Sequence, residues 1–230
     1  MTVQMQERVR TVVESGNAIL FLGAEASYSA LIDSSPAHIY ADTLRDRLCD
    51  EFLGGEHKKR NLTTVADYAR NEASLVEIQA FVRNIFLPLA PAALHLNIPK
   101  FRWRAIVSTN YDLVVERAYA NCRRPLQKLA PVTKDGEQLD MALAEENAVP
   151  YLKLHGCITN YADTAVPIVL DSHEYAKFEH GRKNLARTFS EWARKSPIIL
   201  CSCNLDQKNI KQHCSALELL ARYHSPVCES

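Results

Sequence analysis

The chain has 230 residues, 47% hydrophobic and 23% charged, which is typical of a globular protein with a buried core. Its 27 Lys and Arg residues balance 27 Asp and Glu residues, so no overall field favours nucleic acid or a membrane surface. No apolar run reaches the ~18 residues that span a bilayer, and the N-terminus lacks the apolar core of a signal peptide. We therefore expect a cytoplasmic protein without a membrane partner. The short basic runs at 56–60 and 182–187 are better explained as solvated faces than as a nucleic-acid groove.

The first quarter of the sequence has a helix, a strand and a small-residue turn. Apolar spacing predicts an amphipathic helix over 3–15, and the continuous apolar run AILFL at 18–22 predicts a buried parallel strand. The turn Gly23-Ala24-Glu25-Ala26-Ser27 then leads into a helical pattern. A strand, a small-residue turn and a helix start predict a phosphate cradle, because helix-terminal N–H groups attract anions.

The rest of the chain alternates between helical and strand-like patterns. Residues from about 42 to 98 are almost entirely helical, which predicts a small helical insertion. Strands are predicted at 104–108, 151–154, 166–170 and 197–201, with helices at 112–121, 138–146, 172–178, 182–195 and 206–222. The alternation predicts an α/β fold, a Rossmann-like and mostly parallel sheet flanked by helices, in one domain that covers 1–230.

The seven cysteines do not indicate a metal site or a disulfide framework. They are scattered and odd in number, and only Cys201 and Cys203 lie close together. Structural zinc usually needs two closely spaced ligand pairs, and disulfides are unusual in the cytosol. We therefore expect no bound metal and interpret the cysteines as small core residues.

Small or polar side chains follow four of the predicted strands. The sequences are GAEAS at 23–27, TNYD at 109–112, HGC at 155–157 and SCNLD at 202–206. Ligands of doubly wound sheets bind at the carboxyl ends of the strands. Four such turns with consistent chemistry predict a ligand site at this edge.

The same segments resemble a known family. FLGAEAS, IVSTNYDLVVERAY, YLKLHG and IILCSCNLDQKNI are similar to the strand-end motifs of sirtuin-like domains in bacterial antiviral-defence proteins. The patterns T-N-Y-D-x-x-x-E and K-L-H-G are the most specific matches, and the resemblance spans roughly 18–210. It implies a Rossmann-like sheet that binds NAD, often as the substrate of a glycohydrolase that depletes NAD during phage infection. The zinc-ribbon cysteines of deacetylating sirtuins are absent, which argues against deacetylation.

The resemblance also implies roles for individual residues. Asn110 would hold the ribose hydroxyls or a water beneath the anomeric carbon, and His155 would be the general base. Asp112 would face the nicotinamide amide or orient Asn110, while Ser27 and the turn N–H groups would meet the pyrophosphate. Asp206 is more simply a helix cap and only secondarily a ribose contact. The implied NAD-binding residues are Gly23, Ala24, Ser27, Asp112, Ser202, Asn204 and Asp206.

Several of these residues have simpler explanations. Asn110 and Asp112 can equally well cap the helix that begins near residue 112. We expect Glu116 to face solvent or to pair with Arg104 or Arg117. His95 has no assigned role.

Glu25 stands where the resembled pattern has its second glycine. A carboxylate about 4 Å from a phosphate costs ~1 kcal/mol in water and ~4 kcal/mol near a protein surface. Ser202 and Cys203 likewise replace a glycine and a tyrosine. Either Glu25 points outward and NAD still binds, or the chain is degenerate and its pocket no longer turns over NAD. If the carboxylate lies at the pyrophosphate, Glu25→Gly will tighten NAD binding.

Three functions follow from these patterns. The first is an NAD glycohydrolase that acts as an antiphage effector and is gated by a homo-oligomer or by a sensor or partner chain. The second is a catalytically degenerate nucleotide-binding or scaffold module of a defence complex. The third is a protein deacylase, which the missing zinc module disfavours.

Overall fold

The computed structural model describes residues 3–202, with side chains from residue 7 onward. This part of the chain has seven strands and eight α-helices in an alternating order. The strands are β1 (Ile19–Leu22), β2 (Leu31–Ile32), β3 (Ser35–Pro36), β4 (Ala105–Ser108), β5 (Lys128–Val132), β6 (Ala148–Lys153) and β7 (Ile198–Cys201). The helices are α1 (Val3–Glu14), α2 (Ala41–Phe52), α3 (Leu62–Glu72), α4 (Leu75–Phe86), α5 (Val114–Asn121), α6 (Glu137–Ala144), α7 (Ser172–Ala176) and α8 (Lys183–Ala193).

Five of the strands form one parallel sheet in the order β5-β6-β4-β1-β7. Strand β1 lies between β4 and β7, and Ile19 is in register with Ala105 on one side and Ile198 on the other. The sheet with its flanking helices is the Rossmann-like α/β fold that the sequence predicts.

The central strands are continuous apolar runs because both faces of the sheet are covered. Ile19 and Phe21 belong to one core cluster, in which the Phe21 ring lies 5.8 Å from that of Phe189 on α8. Leu20 and Leu22 point to the opposite face, in a cluster with buried residues such as Trp103. Burial of both side-chain rows explains why the strand has no polar alternation.

The segment between β1 and β4 is mainly helical, as predicted. The side chain of Asn61 caps α3 by accepting from Thr64 N–H, and Ser74 forms a capping box with Glu77 at the start of α4. Helices α2, α3 and α4 share a third buried cluster. The cluster packs beside the carboxyl edge of the sheet and supplies one wall of the site described below.

The predicted strand at 166–170 is wrong, because this buried segment does not join the sheet. Pro167 has no N–H to donate. The N–H of Ile168 donates to Gln79 Oε1 at 2.7 Å, and that of Val169 donates to the backbone oxygen of His155 at 3.0 Å. The backbone is thus satisfied by single contacts rather than by a strand ladder.

Strand β5 was not predicted, although it forms an outer position of the sheet next to β6. Its sequence KLAPV contains a proline and only one buried residue, so it lacks the apolar run that marks the central strands.

Two further observations concern the limits of the described chain. Among residues 3–202, no helix has the length and apolar character that crossing a membrane requires. The helix predicted at 206–222, and the cysteines at 203, 214 and 228, lie outside the described residues.

Candidate functional site

A cleft of about 590 Å³ lies at the carboxyl ends of β1, β4 and β6, a volume typical of small-molecule sites. On one side it is lined by the turns that follow these strands, and on the other by the start of α3 and by α7. The lining residues from the strand-end turns are Ala24, Ser27, Thr109, Asn110, Tyr111, Asp112 and His155. The two residues to which the resemblance assigns the chemistry, Asn110 and His155, therefore share one cavity.

Asn110 is held by the turn that follows β1. Its Nδ2 donates to the backbone oxygen of Gly23 at 3.0 Å and to Ser27 Oγ at 2.9 Å. Its own N–H donates to Ser108 Oγ at 2.9 Å. Because a backbone carbonyl only accepts, the amide group must turn its NH₂ toward Gly23, which leaves Oδ1 for the cleft.

Asp112 is a buried residue that holds the Ser27 side chain in place. It is 2% exposed, and its Oδ2 accepts from Ser27 Oγ at 2.6 Å. Its Oδ1 accepts at 2.9 Å from the N–H of Val114, the first residue of α5, although the N-cap position itself is Leu113. Asp112 thus holds Ser27, and Ser27 holds Asn110. This arrangement agrees with the expectation that Asp112 orients Asn110. Of Asn110 and Asp112, the two candidates for the helix cap, only Asp112 accepts from an N–H of α5.

His155 is positioned by aromatic rings and by its own backbone. It is 5% exposed, and its ring packs edge-to-face against Tyr175 and Phe178, with centroid distances of 5.5 Å and 6.2 Å. Gly156 follows with φ +87°, and a Cβ there would lie 3.1 Å from a guanidinium nitrogen of Arg182. The glycine of K-L-H-G is therefore required by backbone conformation and by close packing.

The turn after β1 differs from the predicted helix-terminal cradle. Residues Ala24–Ser27 form a single 3₁₀ turn, with Ala26 N–H donating to Gly23 O at 3.0 Å. The chain then enters the β2–β3 hairpin, and the next α-helix, α2, begins only at Ala41. Gly23 has φ −81° and ψ 177°, a conformation open to any residue.

Glu25 lies outside the described cleft lining. It is exposed, and it is not among the described residues that line the cavity, whereas its neighbours Ala24 and Ser27 are. The charge of Glu25 contributes, after burial, to a raised pKa of Tyr28. Glu25 replaces the second glycine of the resembled pattern. Its exposed position outside the cleft lining favours the interpretation in which the carboxylate faces outward.

The wall opposite the sheet is polar and aromatic. Asp67 on α3 accepts from the N–H and the Oγ of Ser172 on α7, at 2.9 Å and 2.8 Å. Tyr28 and Tyr40 form an edge-to-face pair with centroids 4.3 Å apart. All four residues line the cleft. No pattern in the sequence connected these positions with the site.

His95 supports the site without lining the cleft. Its Nδ1 accepts from Ala92 N–H at 3.0 Å, so its Nε2 carries the proton and donates to the backbone oxygen of Ala26 at 2.7 Å. This buried imidazole ties the 3₁₀ turn to the segment before β4. A lone histidine in an apolar segment gave no indication of this contact.

Glu116 neither faces solvent freely nor pairs with Arg104 or Arg117. Its Oε1 accepts from Lys153 Nζ at 2.8 Å. The Arg104 guanidinium lies over the Trp192 ring, and Arg117 donates to the backbone oxygen of Leu89. The predicted partners were therefore wrong, because the parallel pairing of β4 and β6 brings Lys153 beneath α5.

The last predicted turn is described only at its start. Ser202 follows β7 with φ +56°, and it is not among the described residues that line the cleft. Asn204 and Asp206, also predicted to bind NAD, lie outside the described residues.

Two other features in residues 3–202 bear on alternative sites. These residues contain no group of three or more His, Cys, Asp or Glu side chains suited to holding a metal ion. A second cavity of about 560 Å³ lies beside α1, with walls that include Leu20, Ile98 and Trp103. That cavity lacks the convergent polar groups of the cleft at the sheet edge.

A parallel sheet with a polar cleft at its carboxyl edge defines a Rossmann-like domain with a small-molecule site. A family model described as a SIR2-like domain matches residues 104–226, just over half of the chain. The chain therefore belongs to the SIR2-like domain family, whose domains bind NAD. The matched region contains Asn110, Asp112 and His155. No curated protein matches the chain.

Proposed function

We propose that this protein cleaves NAD to nicotinamide and ADP-ribose. The observation that carries the proposal is the shared cleft of Asn110 and His155, in which the Asn110 amide is already oriented by Gly23 and Ser27. The cleft volume of about 590 Å³ lies within the usual range for small-molecule sites.

The charges of the cleft suit the bond that would break. Departure of nicotinamide takes the electron pair of the glycosidic bond and leaves positive charge on the ribose. Asp67 and Asp112 line the cleft, and none of the described lining residues is Lys or Arg. Carboxylates in a lining whose described part contains no cation favour a developing positive charge.

Each of the two central residues has a definite task in this reaction. Asn110 Oδ1, on the side of the amide away from Gly23, would accept from a ribose hydroxyl or from the attacking water. His155 would take the proton of that water as its oxygen bonds to the anomeric carbon. The aromatic contacts with Tyr175 and Phe178 would keep the imidazole in place.

The biological setting that we propose is antiphage defence in the cytoplasm. Uncontrolled NAD cleavage would harm the host cell, so the activity requires a gate. A homo-oligomer or a sensor or partner chain would supply it. This part of the proposal derives from the motif resemblance around Asn110 and His155.

The alternative is a nucleotide-binding or scaffold module without turnover. The absence of Lys and Arg from the described cleft lining favours the scaffold role within this alternative, because no cation there would neutralise the pyrophosphate of a bound dinucleotide. The two functions make different predictions for the release of nicotinamide.

The test is to incubate purified protein with NAD and to measure free nicotinamide. We expect release by the parent and its loss in Asn110→Ala and His155→Ala. The matched controls are Asn121→Ala and His180→Ala, which remove exposed side chains of the same types. NAD binding without release would support the module. Release by Asn110→Ala at the parent rate would remove Asn110 from the mechanism.

A further inference from the structure

Lys153 is a completely buried lysine directly beneath the cleft. It is the last residue of β6 and is 0% exposed. Its Nζ donates to the backbone oxygen of Asp112 and to Glu116 Oε1, the latter at 2.8 Å. The same Nζ lies 5.3 Å from the centre of the Tyr151 ring. The ammonium group therefore meets two oxygens and an aromatic face instead of water.

The lysine remains charged in this setting. Burial by itself lowers the pKa of Lys153. The charges of Glu116, Cys157 and Asp112 together outweigh this effect of burial, so the pKa of Lys153 is raised overall. Lys153 Nζ and Glu116 Oε1 form a salt bridge at 2.8 Å, in which burial raises the pKa of the Glu116 carboxyl and the charge of Lys153 opposes that rise. Asp112 O accepts a charge-assisted hydrogen bond from the same ammonium group.

The pair joins the two most specific motifs of the sequence. Glu116 ends T-N-Y-D-x-x-x-E, and Lys153 begins K-L-H-G, two residues before His155. Ser108 is in register with Lys153 across the β4–β6 ladder. Lys153 therefore connects the turn that carries Asn110 to the strand that leads into His155.

Stability alone does not explain a charged pair at this place. Replacing a buried ion pair with apolar residues of similar size often leaves a protein equally stable or makes it more stable. An apolar pair would fill the space between β6 and α5, but it would leave Asp112 O without its donor. What Lys153 adds is a fixed position for Asp112.

We propose that Lys153, held by Glu116, is a positioning residue that fixes Asp112 and through it Ser27 and Asn110. The sequence of contacts runs from Lys153 Nζ to Asp112 O, from the Asp112 carboxylate to Ser27 Oγ, and from Ser27 Oγ to Asn110 Nδ2. The catalytic consequence rests on the proposed function, whereas the effect on the turn does not.

The test uses the double variant Lys153→Met/Glu116→Leu, because Lys153→Met alone leaves a buried carboxylate unpaired and is prone to misfold. The control Lys128→Met/Glu145→Leu removes a surface pair with a 2.6 Å contact. Amide hydrogen exchange is measured at residues 110–114, together with urea unfolding and nicotinamide release. Exchange reports on the turn whether or not NAD is cleaved.

We expect the double variant to unfold at a urea concentration close to that of the parent, because the lost donor to Asp112 O offsets the gain from replacing a buried ion pair. Exchange at 110–114 should be about tenfold faster. We also expect kcat to fall about tenfold or more and KM to change less than about threefold, as for loss of a charge-assisted hydrogen bond that orients the site. The control should match the parent in all three measurements.

Unchanged exchange at 110–114 in a folded double variant would overturn the positioning role. Faster exchange with an unchanged kcat would also overturn it, since the turn would then not matter for the reaction. Faster exchange in a protein whose parent releases no nicotinamide would support the structural link and reject the proposed function instead. If the double variant fails to fold, Lys153 is needed for stability and the inference is wrong.

Discussion

Asn110 and Ser27 are 83 residues apart in the chain, yet Asn110 Nδ2 donates to Ser27 Oγ at 2.9 Å. Ser27 Oγ in turn donates to Asp112 Oδ2 at 2.6 Å. One hydroxyl thus joins the turn after β1 to the turn after β4. The resemblance assigned Ser27 to the pyrophosphate, and the structure gives its hydroxyl these two protein partners.

The first prediction concerns this hydroxyl. Ser27→Ala leaves a buried amide and a buried carboxylate each short of one partner, which costs about 1–3 kcal/mol of unfolding free energy. Urea denaturation of parent and variant measures the difference. Ser29→Ala, which removes an exposed hydroxyl from the same segment, should have little effect. Equal stability of the Ser27→Ala variant and the parent would show that the network contributes nothing.

The second prediction is that Glu25→Gly changes NAD affinity less than about twofold, because an exposed carboxylate outside the cleft is screened by solvent. Calorimetric titration with NAD measures this. Ala24→Glu is the matched comparison, since residue 24 does line the cleft. A carboxylate there should weaken binding about tenfold, within the ~1–4 kcal/mol expected beside a phosphate. Much tighter binding by Glu25→Gly would place the Glu25 carboxylate at the pyrophosphate after all.

The third prediction compares two tyrosine hydroxyls. Tyr119 is buried, and its hydroxyl has no hydrogen-bond partner within the described part of the chain. The hydroxyl of Tyr111 donates to the backbone oxygen of Val169 at 2.7 Å. Burial raises the pKa of both side chains. Removing an unpaired hydroxyl ends its desolvation cost, so Tyr119→Phe should raise the unfolding free energy by about 1 kcal/mol.

Tyr111→Phe serves as the opposite case, because it leaves the Val169 carbonyl without a donor and should lower stability by about 1 kcal/mol. Urea unfolding of both variants and the parent gives the comparison. A loss of stability in Tyr119→Phe would mean that the hydroxyl has a partner.

The fourth prediction concerns pH. Burial, reinforced by the charge of Asp171, raises the pKa of the Glu174 carboxyl above 4.5, against the opposing charges of His173, Arg70 and Arg182. The pKa of Glu174 is therefore higher in the folded than in the unfolded protein. The contribution of the Glu174 carboxyl to stability is complete below its unfolded-state pKa and is lost as pH rises through its folded-state pKa. Glu174→Gln stays neutral throughout. Its stability relative to the parent should therefore grow as pH rises from about 4.5 and then level off.

Urea unfolding over a pH series from below the usual carboxyl pKa to above neutrality measures this difference. Glu179→Gln, which changes an exposed carboxyl nearby, should give a nearly flat difference. A Glu174→Gln difference that stays constant or shrinks with pH would contradict the direction of the shift.

The central sheet was predictable because strands buried on both faces have continuous apolar sequences. AILFL at 18–22 is the clearest case, and β1 occupies Ile19–Leu22. The meeting of Asn110 and His155 was predictable for a related reason, since the carboxyl ends of parallel strands share one edge of the sheet.

Other parts depend on contacts that a local pattern does not contain. Segment 166–170 is apolar, but the sequence does not reveal that Gln79 and His155 take its N–H groups in place of a strand. The partners Glu116 and Lys153 are 37 residues apart, and only the register of β4 with β6 brings them together. The role of His95 likewise depends on the path of the chain before β4.

Strand β5 has a consequence for self-association. It pairs with β6 on one side, and within the described chain no strand pairs with the other. Both Lys128 and Pro131 on this strand are exposed. A proline cannot donate to an incoming chain, and a lysine opposes docking of a second flat surface, so this rim resists extension by a strand from another copy. A homo-oligomer that regulates the protein would therefore not form by strand pairing at this rim.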